Sequence, residues 1–118
     1  MKLATFERNG TRRVGAVLGE DRIVDLAAAA AGSAAEKILD AGMLALLDAG
    51  EPGLAAAREA AEKAPASAIL PLADVRLCAP ILYPRKLFCL AGNYAEHIQE
   101  GGRNVEKKDK VTPRVFMK

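Results

Sequence analysis

Leu3-Ala4-Thr5-Phe6-Glu7-Arg8-Asn9-Gly10-Thr11-Arg12-Arg13-Val14-Gly15-Ala16-Val17-Leu18 sets the fold class. Two apolar runs, Leu3 to Phe6 and Val14 to Leu18, flank Arg8-Asn9-Gly10-Thr11. An Asn-Gly pair supplies two residues at positive φ, the backbone that a tight antiparallel hairpin needs. A second turn, Gly19-Glu20-Asp21, leads into a third short strand, Arg22 to Leu26. The chain therefore opens as a small antiparallel sheet.

Helices follow. Ser33 is an N-cap residue and Glu36, three positions on, completes a capping box. Ile38, Leu39, Met43, Leu46 and Leu47 recur at helical spacing and predict one helix with a single apolar face, closed by Gly50. Pro52 opens a second helix, carried by an Ala/Arg/Glu/Lys series to Ala64 and stopped by Pro65. Sheet plus helices makes residues 1–70 a small α+β domain, and both helices read as packing elements without chemistry.

From Ser67 the texture changes. Pro71, Pro80 and Pro84 punctuate two β-type runs, Val75 to Cys78 and Lys86 to Leu90, which excludes a long helix. Residues 71–118 read as a linker and the beginning of a second domain. After Leu90 comes Ala91-Gly92-Asn93-Tyr94-Ala95-Glu96-His97-Ile98-Gln99-Glu100, a turn into a short helix. His97 is the only histidine. Glu100 lies at i+3, which on a helix puts imidazole and carboxylate on one face. A carboxylate holding one ring nitrogen tunes the other as a general base. The alternative is a surface histidine beside an ordinary helical neighbour. Residues 101–110 read as a loop, and Pro113 to Lys118 as a further strand. Counted from about Ala79, the second domain holds only about 40 residues, too few to enclose a core, so the expectation is the N-terminal part of a larger protein.

Composition narrows the function classes. The chain has 118 residues, 51% hydrophobic but only 4% aromatic, with 17 basic and 15 acidic side chains. A formal charge of +2 is too small for a strong phosphate-attracting field, so a nucleic-acid partner is not expected. The longest apolar tract, Ala27 to Ala31, is far too short for a membrane span. No secretory h-region is read at the start, and Cys78 and Cys89 form no zinc-type ligand pattern. Buried free thiols in a cytoplasmic protein are expected ahead of a disulfide between the two.

The residues from 80 onward carry a resemblance. Pro80-Ile81, Pro84-Arg85-Lys86-Leu87-Phe88-Cys89-Leu90, Asn93-Tyr94 with His97 and Glu100, and Phe116-Met117-Lys118 together resemble the fumarylacetoacetate hydrolase family. The opening strands and two helices are similar to the small N-terminal domain of its bacterial members. The resemblance implies a mostly β catalytic domain, of which this chain would hold the first strands and a lid helix. It further implies a divalent metal (Mg2+, or Mn2+ or Ca2+), small oxo-acid substrates such as acylpyruvates or hydroxymuconates met in aromatic-compound catabolism, and a homodimer. His97 and Glu100 match the family's dyad that activates water or moves a proton. Lys118 matches a lysine near the family's site, and Arg85 either meets a substrate carboxylate as a second cation or caps its strand. The family's metal ligands, Glu-x-Glu and a later Asp, match nothing in these residues, so the 118 residues alone are expected to be inactive. Hydrolysis, isomerisation, hydration and decarboxylation all remain open, and the competing class is a non-catalytic interaction or dimerisation module.

Overall fold

The computed structural model describes residues 1–91 and 114–118, in two units, Met1–Leu82 and Tyr83–Lys118. The first is α+β. Strands β1 (Lys2–Arg8) and β2 (Thr11–Leu18) pair antiparallel around a two-residue turn. Asn9 and Gly10 sit there at φ 51° and 76°, the type I′ geometry that matches strand twist. Strand β3 (Arg22–Asp25) continues the sheet, one residue shorter than expected because Leu26 already belongs to a helix.

Two very short strands complete the sheet. Strand β4 (Ile69–Pro71) pairs with β3, and β5 (Arg76–Leu77) pairs with β1, giving the order β4-β3-β2-β1-β5. The unit thus runs past the boundary expected at residue 70, because both edge strands come from the proline-rich stretch. The link between those edges sets the sheet's shape. Across a flat sheet, four interstrand spacings of about 4.8 Å put the edges roughly 19 Å apart. From Pro71 to Arg76 the fully extended chain reaches about 17 Å, and a 3-10 turn at Leu72–Asp74 shortens that to roughly 13 Å. The sheet must curl.

Curling makes a core on each face. On one face Val14, Ala16 and Val24 meet Leu26, Leu39, Met43, Leu46, Ala57 and Ala60 from the helices. On the other, Phe6, Ile23 and Leu70 are buried with Ala4, Leu72 and Val75 around them. No α-helical residue joins this second cluster, so the closure of the sheet itself keeps water from it. Gly15 allows the packing: a Cβ there would lie 2.6 Å from Ile23 Cδ1 and 2.9 Å from the Val24 carbonyl oxygen.

In the first unit four helices stand where two were expected. Helix α1 (Leu26–Ala29) is capped by Asp25, whose Oδ1 accepts from the Ala28 N–H at 3.1 Å. The single helix expected up to Gly50 is two, α2 (Glu36–Asp40) and α3 (Met43–Asp48). Gly42 at φ 97° breaks the ladder between them. The kink keeps Leu39, Met43 and Leu46 buried and leaves Leu47 43% exposed, off the apolar face it was assigned to. The expected capping box does not form: the chain turns helical only at Glu36, so Ala35 rather than Ser33 is the N-cap and no side chain caps α2. Ser33 Oγ accepts from the Ala35 N–H, and Glu36 reaches back to the Gly32 N–H at 2.7 Å. Helix α4 (Gly50–Glu62) carries Pro52 in its first turn, as expected, and Gly50 has the positive φ of a helix-terminating residue.

The second unit holds a two-stranded antiparallel sheet, β6 (Phe88–Ala91) and β7 (Arg114–Met117). Its register places Phe88 opposite Met117, Cys89 opposite Phe116 and Leu90 opposite Val115.

Candidate functional site

The site expected from sequence lies around β6 and β7. His97 and Glu100 fall outside the described residues, as do the expected helix that carries them and the loop after it. Arg85 and Lys118 are described, and both are exposed. The sheet brings them to the same end. The Lys118 N–H donates to the Leu87 carbonyl at 2.9 Å, and Arg85 precedes Leu87 by two residues, at most about 7 Å of chain. Two cationic side chains therefore start from one end of β6–β7. The strand leaves toward residue 92 from the other end, where Ala91 faces Arg114. Such a pair of cations can hold a carboxylate, Arg in a two-pronged grip and Lys as a point charge.

The sheet around these cations is apolar on both faces. Alternation puts Phe88, Leu90, Val115 and Met117 on one face, and Leu87, Cys89 and Phe116 on the other. Phe88 is 66% exposed, Met117 61% and Phe116 50%. A two-stranded sheet is marginal on its own, and strands apolar on both faces belong to the interior of a layered structure.

Among the described residues no group of three or more His, Cys, Asp or Glu is placed to hold a metal ion. The two thiols are free and half-buried, rather than buried as expected. Cys78 Sγ lies 3.7 Å from the Arg76 carbonyl oxygen, beyond the edge strand β5, where little packs over it. No described helix is long and apolar enough to cross a membrane.

Two further features of the first unit escaped the sequence. A groove of about 320 Å³ runs between the α1–α2 connection and α4, lined by Ala29, Ala30, Ser33, Ala35, Ala56 and Ala60 together with the ion-paired Glu59 and Lys63. Neither Arg85 nor Lys118 lines it. On the sheet, Glu7 accepts from Arg76 at 2.7 Å and lies 3.6 Å from Arg12. The Arg76 hydrogen bond, more than any other influence, holds the Glu7 carboxyl below its ordinary range. Glu7 and Arg76 lie 69 residues apart in sequence, and only the β1–β5 register brings them together. Both arginines are exposed, and the group ties strands together rather than forming a pocket.

The described fold thus defines an α+β unit with a curled sheet, followed by a cation-ended two-stranded sheet. No family model matches the chain. It is similar to the protein Rv2993c of Mycobacterium tuberculosis, with 44% identity over 75 residues that take in 58% of this chain and 26% of that protein. The match spans about a quarter of that relative's length.

Proposed function

We propose that the chain is the N-terminal part of a metal-dependent hydrolase of the fumarylacetoacetate hydrolase type, cleaving C–C bonds of small oxo-acids. The observation that carries this reading is the pairing of β6 with β7. It sets the strand entering the Asn93-Tyr94-Ala95-Glu96-His97-Ile98-Gln99-Glu100 motif beside β7, just before Lys118, and gathers Lys118 and Arg85 at the end of the sheet opposite to where the chain leaves for that motif. Two further points support it. The apolar faces of this sheet are those of a sheet interior, and the similar protein is several times longer than the stretch it shares with this chain.

On this reading Arg85 and Lys118 pair with the substrate carboxylate. His97, with Glu100 on its other ring nitrogen, takes the proton from water or from a substrate carbon. The described residues offer no ligand set for Mg2+; its carboxylates would come from chain outside residues 1–118. Free thiols suit a reducing cytoplasm, and a homodimer belongs to the same proposal. The test is turnover of an acylpyruvate panel with Mg2+ by the enzyme that carries this chain. His97→Ala should lower kcat by about 10²-fold or more while Mg2+ binding persists. Unchanged kcat sinks the dyad.

A further inference from the structure

Thr5 is one of two polar or charged residues in the buried core of the first unit, at 6% exposure. It stands opposite Val14, on the face of the sheet that meets the helices. Its hydroxyl does not serve the sheet ladder. It donates to the Pro80 carbonyl at 2.7 Å, across 75 residues of sequence. The Thr5 carbonyl in turn accepts from the Cys78 N–H at 2.8 Å. One residue thus holds positions 78 and 80 by two different groups. Ile81 then packs, half-buried, against the helix-side core.

Little else holds this stretch. Strand β5 has two residues, both exposed; Ala79, Pro80 and Leu82 are exposed, and Cys78 is half-buried. Segments with few buried contacts open at a free energy well below that of global unfolding. We infer that residues 78–82 form a strap latched by Thr5, able to detach while the curled sheet and its helices remain folded. The latch fixes the place from which the chain continues to Tyr83. Losing it frees that connector.

Thr5→Val tests this in the full chain, because valine keeps the shape and suits a strand position with an apolar neighbour. The exposed Pro80 carbonyl can take a water in place of the hydroxyl. Hydrogen exchange in the peptide covering 77–82 should quicken about fivefold to tenfold, the worth of one such bond, with β2 amides unchanged. Thr5→Ser keeps the hydroxyl and should exchange as wild type within 77–82. If Thr5→Val fails to fold, Ile81→Ala removes the other anchor and should loosen 77–82 selectively. Unchanged exchange in Thr5→Val, equal loosening of β2, or Thr5→Ser matching Thr5→Val would each overturn the latch.

Discussion

Gly53 lies in the first half of α4 with an ordinary helical backbone, and helix propensity alone says that alanine there should help by about 0.8–1.0 kcal/mol. The packing says the opposite. A Cβ at position 53 would sit 2.5 Å from the Leu46 carbonyl oxygen and 2.9 Å from the Ala49 Cβ. A carbon needs about 3.3 Å from a carbonyl oxygen, so α4 would have to back away from α3 by roughly 0.8 Å. Both close partners are rigid, one being backbone and the other a methyl. The displacement would loosen Leu46 and Ala57, each fully buried at 0% exposure. Overpacking of this kind costs about 1–3 kcal/mol. Against the propensity gain, the expected net loss for Gly53→Ala is about 1 kcal/mol. Thermal melting followed by circular dichroism should show Tm lower by roughly 4–8 °C for a unit of this size. Ala55→Gly, at an exposed position of the same helix, calibrates the propensity contribution. A rise in Tm for Gly53→Ala would mean the helices have room, and the close approach of α3 and α4 would be refuted.

Phe6, buried among Ile23 and Leu70, should lose about 3–5 kcal/mol on truncation to alanine, read as a fall in the denaturant midpoint; a loss below about 1 kcal/mol would show that the curled sheet does not seal its inner core. Glu7→Gln tests the Arg12–Glu7–Arg76 cluster through pH. The folded carboxyl is held below its ordinary value, so its stabilisation is present above about pH 4.3 and is lost as pH falls through the folded pKa. The Tm gap between wild type and Glu7→Gln should be widest near neutrality and close on acidification, and a gap that ignores pH would exclude the linkage.

Local chemistry was legible where one or two residues dictate the backbone. Asn9-Gly10 specified the hairpin, and Pro52 with Pro65 bracketed α4, because each acts through its own φ or its missing N–H. Elements set by distant partners were hidden. Ile69–Pro71 and Arg76–Leu77 are too short to carry a periodic signal, and they are strands only because β3 and β1 stand beside them. Helix α1 lay inside an alanine tract whose one cue was Asp25 before Leu26. The apolar spacing across Ile38 to Leu47 looked continuous because a kink at Gly42 keeps three of its five residues buried. For the site, the family resemblance singled out Lys118 and charge made Arg85 a second candidate, and the strand register that brings them to one end was beyond sequence. The Thr5–Pro80 and Glu7–Arg76 contacts had no sequence signal at all.

The order of the sheet has a consequence for the protein during its own synthesis. Strands β1 and β2 can pair as soon as the hairpin is made, but β1 receives its second neighbour only from Arg76 and Leu77, with Glu7 and Arg76 separated by 69 residues. At about 5–20 residues added per second, roughly 3–12 s pass between the end of β2 at Leu18 and the arrival of β5 at Arg76. Through that interval the outer edge of β1 offers unpaired N–H and C=O groups to any neighbouring nascent chain. Strand β1 is thus made before the other strands of its sheet yet is the last of the inner ones to gain both neighbours, and vectorial synthesis leaves its edge open for longest.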